Sequence, residues 1–450
     1  MRLEGVARAF LVILCNANVF LLQLFPEKSL LLRIRNKNVV KMALTLFPPR
    51  RIDGRVLLPS SKSICNRALI LNALSGCPMP IGNLSDCDDT RVMVRAFESD
   101  GPDFDILAAG TAMRFLTAYL SQCTGVWTIT GSERMRHRPI RLLVDALRSL
   151  GACIEYLGEE GFPPLRIEGK PLRGGDLTLS AGVSSQYISA LLMIAPYMQE
   201  GLSLTLTGTM ISKPYIAMTL AMMRHWGVGS RWEGNRIEVA PAAYKPLAFT
   251  VESDWSAASY WYEMVSLTPG AVVELPGLQR ESVQGDARVA DFYAALGVDT
   301  EFTADGVRLR HTGQTATAPL LLDLTDQPDL AQTLVVTCAL LQRPFRFTGL
   351  QSLKIKETDR IAALKCELAK LGYPIVDSDD SVLSWDGRRA DAAGHPAIDT
   401  YDDHRMAMAF APAAMFFPGL EIRNPEVVSK SYPAFWDHLR QVGFDVRTLK

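Results

Sequence analysis

Apolar residues along this chain recur at helical spacing, stop at a glycine, and then resume at alternate positions. Six stretches show the pattern, at residues 94–101, 146–151, 222–227, 292–297, 366–372 and 438–443. In each, the glycine stands where a left-handed C′ residue closes a helix. Most are followed by an alternating segment of strand type, such as residues 152–156 and 298–302. The glycines are spaced 50, 76, 70, 75 and 71 residues apart, a near-constant interval that predicts repeated α/β units. Three units per domain is the economical division. The short first interval predicts a unit that lacks a hairpin.

At 450 residues the chain exceeds one ordinary core, which agrees with two domains. Hydrophobic content of 48% with 21% charged residues describes a globular chain, not a disordered one. The net charge of −1 supplies no global basic field for nucleic acid, so any anion must be recognised by local clusters. The eight cysteines form no CxxC pair and the six histidines are dispersed, so neither a metal site nor a cofactor is expected, and a reducing, cytoplasmic compartment is. Residues 9–25 form an apolar run behind Arg2 and Arg8, in the manner of a signal peptide. Asn16 and Asn18 interrupt it, and no small-x-small cleavage site precedes the basic residues 33–37. The reading preferred is that Met42 opens the fold with a strand and residues 1–41 are an upstream extension, with export as the alternative; recovery of a peptide from residues 9–25 would defeat the first.

The chemistry sits at helix starts. Residues 55–58 read as a strand that gives way to a helix carrying Lys62, Ser63 and Arg67. A lysine, a hydroxyl and an arginine near the free N–H groups of a helix start suit a phosphate, although one such motif alone is more often a capped, solvated surface. The pattern recurs, however. Gly110, Thr111 and Arg114 follow small residues ahead of a helix. Arg134, Arg136 and Arg138 alternate in what reads as an extended loop, which would set three guanidinium groups on one side. Ser184, Ser185 and Gln186 open another helix, and Ser212 and Tyr215 the next. In the second half, Asp329 stands near a cap, and Lys356, Glu357 and Arg360 lie within about one turn. His404 and Arg405 precede an apolar helix, Lys430 lies between two serines, and residues 252–259 form an acidic, hydroxyl-rich helix start. If these starts face one cleft, anions bind there.

Taken in order, the strings PSSKSICNRAL, AGTAMR, RMRHRPI, SSQYISALLM, SKPYI, QGDAR, PDLAQT, KETDR, DDHRMAM and SKSYP resemble those of the 5-enolpyruvylshikimate-3-phosphate synthases, over residues 42–450. The resemblance implies a two-domain, inside-out α/β barrel with three βαβαββ units per domain. Residues 62–253 would form the first domain, and residues 42–61 with 254–450 the second. It implies transfer of the enolpyruvyl group of phosphoenolpyruvate to the 5-hydroxyl of shikimate-3-phosphate, through a tetrahedral intermediate and without metal. Shikimate-3-phosphate would be held by Lys62, Ser63, Arg67, Ser184 and Ser185, with Gln186, Ser212, Tyr215, Asp329 and Lys356 completing that set. Phosphoenolpyruvate would meet Lys62, Gly110, Arg114, Arg134 and Gln186 from one side, and Arg360, Arg405 and Lys430 from the other. Asp329 would be the base, and Glu357, Lys62, Lys430 and His404 would be the groups that can deliver a proton. Ala108 and Ser352 stand where asparagine is usual, which would weaken substrate contacts modestly. The resemblance further implies a monomer that closes on its substrates and is inhibited by glyphosate. The sister transferases acting on a UDP-sugar carry a loop cysteine absent from residues 131–139, and the intact Lys62, Asp329, Glu357 and Lys430 oppose a catalytically dead binding protein.

Overall fold

Helix-glycine-strand is the local rule that the structure repeats. The computed structural model describes residues 42–99, 101–182, 184–313 and 316–449, so the expectations for residues 1–41 lie outside the described residues. Gly151, Gly227, Gly297, Gly372 and Gly443 all take positive φ, as helix-closing residues must. Gly101 does not. Its helix, Asp88–Glu98, stops earlier, and Ser99 is already extended at φ −82°, so no left-handed residue is required there. The strand expected over residues 55–58 is also displaced: it spans Asp53–Arg55.

Among the described residues the strands form six sheets, each built on one parallel pair. Parallel neighbours need a long crossover, and a helix supplies it: Gly110–Gln122 joins Asp103–Asp105 to Gly125–Thr130. Five sheets gain two antiparallel strands and reach four. The sixth, Ile81–Gly82 against Phe249–Thr250, has two, because the chain passes from the helix Asp88–Glu98 directly into the next sheet. This is the missing hairpin that the short interval predicts.

Two hydrophobic cores result, so the fold is a mixed α/β one of two domains. One gathers buried residues from Ile64 to Val251; the other joins Leu44–Leu58 positions to those from Trp255 to Val446. The strand Ala43–Phe47 belongs to the second, inserted between Leu420–Arg423 and Asp445–Leu449. The two passages between cores lie side by side, bridged at Ser60 and Ser253, with Ser61 N–H donating to Glu252 O at 2.9 Å and Asp254 N–H to Pro59 O at 2.9 Å. Lys62 begins its helix immediately beyond this crossing.

The helix Trp255–Leu267 is buried almost all round and carries a misfit, Glu263, fully buried with neither carboxylate oxygen hydrogen-bonded among the described residues. Burial pushes its carboxyl well above the usual range. The native state thus binds this proton more tightly than the unfolded chain, and stability falls as pH rises beyond the ordinary glutamate range, by up to about 1.4 kcal/mol per pH unit. Glu263→Gln is expected to flatten that slope, raising the urea midpoint at pH 8 relative to the parent more than at pH 5. Equal shifts at both pH values would refute the assignment.

Candidate active site

Helix starts from both cores face one cavity of about 930 Å³. From the first core comes the helix Lys62–Leu74. Asp254, which caps its own helix through Ala257 N–H at 3.0 Å, also accepts Lys62 N–H at 3.3 Å, tying the Lys62 helix start to the second core. The Lys62 ammonium lies 3.3 Å from Asp89. Burial disfavours its charge, but Asp89 and Glu357 outweigh burial and hold it protonated.

Arg67 follows on the same helix, only 2% exposed. It donates to Ser63 O at 2.9 Å, Thr219 Oγ1 at 2.8 Å, Ser189 Oγ at 3.1 Å and Tyr215 O at 3.3 Å, all neutral acceptors. A buried guanidinium without a carboxylate is a standing demand for an anion. Ser184 and Ser185 open the next helix over the cavity, and Gln186 is aimed by the hydrogen bond that its Nε2 donates to Thr111 Oγ1 at 3.1 Å. Ser212 holds a left-handed φ of +56° and donates its N–H to Thr325 O at 3.0 Å, which sets the start of the helix Lys213–His225 against the second core.

The opposite wall is organised by one carboxylate. Asp329 Oδ1 lies 3.2 Å from Arg360 and 3.5 Å from Lys356, while Oδ2 accepts from Arg405 at 2.9 Å and from Tyr215 OH at 3.1 Å. Burial would raise its pKa, yet Arg405, Lys356 and Arg360 together hold the carboxyl well below the usual range. The like charges of Lys356 and Arg360 are thus reconciled by the protein's own anion. Arg360 is steadied further by Asp403 at 2.7 Å and Glu357 at 2.9 Å, and Glu357 in turn pairs with Lys430 at 3.1 Å. Lys430 and Arg360 keep Glu357 ionised against its burial.

Comparison with known proteins decides what this arrangement belongs to. The family model described as EPSP synthase (3-phosphoshikimate 1-carboxyvinyltransferase) matches residues 46–103 and 102–439. The chain belongs to the EPSP synthase family. A 3-phosphoshikimate 1-carboxyvinyltransferase of Bacteroides fragilis is 59% identical over 408 residues, covering 90% of this chain and 99% of the relative. One from Vibrio cholerae is 37% identical over 430 residues, covering 89% and 99%. The fold matches EPSP synthase from Acinetobacter baumannii with a TM-score of 0.72 at 21% identity, over 91% of this chain and all of that one. The enolpyruvyl transferase NikO from Streptomyces tendae matches at 0.70 and 17% identity, over 91% and 99%. The chain is accordingly an enolpyruvyl transferase of aromatic amino acid biosynthesis. Among the described residues no helix is long and apolar enough to cross a membrane.

Most residues that the EPSP synthase resemblance nominates line the cavity; several do not behave as the sequence reading expects. Arg134 is outside the lining and pairs with Asp402 at 3.5 Å. The segment read as extended is a helical turn, Glu133–Arg136, because Ser132 Oγ accepts Met135 N–H at 3.4 Å. About 100° of rotation per residue sends alternate arginines to different sides. Arg136 donates to Gly131 O at 3.2 Å, and Arg138 reaches the cavity. Lys430 is outside the lining and pairs with Glu357, which lines it, at 3.1 Å. Burial, Lys62 and Arg405 hold the His404 pKa well below 6.5, so this histidine is neutral and carries no spare proton at neutral pH. Ala108 is exposed in a turn away from the cavity, whereas Ser352 lines it with an unpartnered hydroxyl.

Asp254 and Ser256, from the acidic, hydroxyl-rich helix start at residues 252–259, line the cavity, whereas nothing in the sequence marks Asp286 out individually. The Asp286 carboxyl accepts from Ser256, and burial and the neighbouring Asp329 push its pKa up to about 7. The QGDAR string contained that aspartate, but its partner lies thirty residues away in sequence.

Proposed function

We propose that this cavity transfers the enolpyruvyl group of phosphoenolpyruvate to the 5-hydroxyl of shikimate-3-phosphate, with the sugar phosphate on the Arg67 side and phosphoenolpyruvate between Lys62, Gly110, Arg114, Arg360 and Arg405. The observation that carries this reading is the pair of buried guanidiniums, Arg67 and Arg114, that make no ion pair within 4.0 Å among the described residues, in the same cavity as a carboxylate, Asp329, that is held by three cations. Shikimate-3-phosphate would rest on Ser63, Arg67, Ser184, Ser185, Gln186, Ser212, Tyr215 and Lys356.

The free site masks its base. Arg360 and Arg405, which are the cations for the phosphoenolpyruvate carboxylate, and Lys356, on the sugar side, all neutralise Asp329. As substrate anions draw those cations away, the Asp329 carboxylate regains basicity beside the 5-hydroxyl. It then accepts the hydroxyl proton while the oxygen bonds to the central carbon of phosphoenolpyruvate and the methylene takes a proton to become methyl. With His404 neutral and Glu357 ionised, the groups holding a proton to give are Lys62 and the Lys430–Glu357 pair. Loss of a methyl proton and departure of phosphate from the tetrahedral intermediate complete the transfer. The cations around the cavity stabilise the anionic groups throughout.

The same reading assigns residues 62–253 to one domain and residues 42–61 with 254–450 to the other, a cytoplasmic monomer, and inhibition by glyphosate in the phosphoenolpyruvate position. A phosphate-release assay tests it: release is expected only with both substrates present, and to be suppressed by glyphosate. No release from the two together, under conditions where the protein is folded, would reject the function.

A further inference from the structure

We propose that Ser189 and Thr219 are positioning residues for the sugar-phosphate site, and that, being hydroxyls and not carboxylates, they aim Arg67 while leaving its charge to the substrate. This inference rests on the proposed substrate assignment and concerns residues that touch neither substrate in it.

Arg67 on the helix Lys62–Leu74 meets Ser189 on Ser185–Ile194 and Thr219 on Lys213–His225. Ser189 follows Ser185 by four residues and Thr219 follows Tyr215 by four, so each shares a helix face with a residue that lines the cavity. Both hydroxyls are fully buried and both reach the guanidinium. Thr219 Oγ1 accepts from Nε at 2.8 Å and Ser189 Oγ from Nη2 at 3.1 Å. Thr219 Oγ1 also lies 2.9 Å from Ser189 Oγ and 2.9 Å from Tyr215 O, which joins the two hydroxyls to the backbone of the cavity wall. The rings of Phe115 and Tyr215 flank the guanidinium, 5.4 and 6.0 Å from its carbon. Arg67 therefore has a fixed aim. Its bond to Ser63 O takes only one N–H of Nη1, which leaves a donor for a ligand in the cavity that Arg67 lines.

Arg360 shows the alternative. It is buried as deeply as Arg67, and burial would lower its pKa, yet Asp403, Glu357 and Asp329 stand 2.7, 2.9 and 3.2 Å away and raise it. Arg67 makes no ion pair within 4.0 Å among the described residues, and burial pushes its pKa down to about 10. A substrate anion at Arg360 competes with the protein's own carboxylates, whereas one at Arg67 meets an uncommitted charge. Neutral acceptors satisfy the buried donors, as burial requires, without neutralising that charge.

Steady-state kinetics of Thr219→Val, Thr219→Ser, Thr219→Asp and Ser189→Ala, with each substrate varied in turn and melting temperatures measured alongside, test the assignment. Thr219→Val and Ser189→Ala each remove one acceptor from a charged donor. Each is expected to raise KM for shikimate-3-phosphate about 5- to 30-fold, with kcat and KM for phosphoenolpyruvate within about 3-fold. Thr219→Ser restores the hydroxyl and is expected to stay within about 3-fold of the parent. Thr219→Asp separates aim from charge. Its carboxylate gives Arg67 an ion pair, so it is expected to melt no lower than Thr219→Val, yet to raise KM for shikimate-3-phosphate about 100-fold or more. Ser189→Asp makes the same comparison from the other hydroxyl and covers the case in which Thr219→Asp does not fold. A purely structural role predicts the opposite order, with affinity following melting temperature. That order, an equal rise for both substrates, or a parental KM for shikimate-3-phosphate in folded Thr219→Val and Ser189→Ala would each overturn the proposal. An active parent enzyme with any of those results leaves the proposed function standing; an inactive parent rejects that function, and this assignment with it.

Discussion

Asp329→Ala is expected to lower kcat by about 10²- to 10⁴-fold, the range in which a positioned general base contributes. The direction of the binding change is equally diagnostic. Arg405 at 2.9 Å, Arg360 at 3.2 Å and Lys356 at 3.5 Å lose their internal anion, so each becomes free to engage a substrate anion. Affinity for phosphoenolpyruvate is therefore expected to hold or tighten while turnover collapses. Isothermal titration beside single-turnover kinetics separates the two effects. A parental kcat in this variant, or loss of turnover matched by equal loss of binding, would remove Asp329 from the role of base. Asp329→Asn serves as the control for shape, since it keeps the volume and one acceptor.

Gly110→Ala is expected to act on the ligand rather than on the fold. The new methyl meets only the ends of flexible side chains, Arg138 Nη1 at 2.6 Å and Arg114 Nη1 at 2.7 Å, and no other chain segment closer than the Arg138 Cζ at 3.1 Å. Gly110 begins the helix Gly110–Gln122, where alanine is the better helix former. Thermal stability is thus expected to be unchanged or slightly higher. The guanidiniums have to move, and Arg114 is buried and tethered to Gly110 O, so the displacement falls on the anion site between them. KM for phosphoenolpyruvate is expected to rise about 10- to 100-fold, glyphosate to inhibit correspondingly less, and KM for shikimate-3-phosphate to stay within about 3-fold. A melting temperature that drops by several degrees with kinetics unchanged would show that the glycine serves packing alone.

Much of this molecule is legible in one dimension. The helix-glycine-strand repeat is local: a left-handed closing residue and a change of apolar period are properties of short segments, and five of the six glycines adopt the positive φ that they imply. The missing hairpin is legible as a short interval between glycines. The failure at Gly101 is local as well, since Ser99 turns extended before the glycine is reached. Motif strings are likewise continuous runs, and they suffice to identify the family.

What the sequence by itself determined, then, is the repeating α/β architecture, the family and the set of charged helix starts. The tertiary structure alone decided which charges meet. Asp329 collects Tyr215, the Lys356–Arg360 segment and Arg405 from three separate stretches of chain, and no spacing along the sequence encodes that meeting. It decided that Asp286 lies near Asp329 and titrates near neutrality. It also decided which of two arginines four residues apart, Arg134 and Arg138, reaches the cavity wall, beside one serine cap that turns the segment into a helical turn. The reason is physical: backbone periodicity depends on neighbours a few residues away, whereas electrostatic interactions depend on distance and burial, which exist only once the chain has folded.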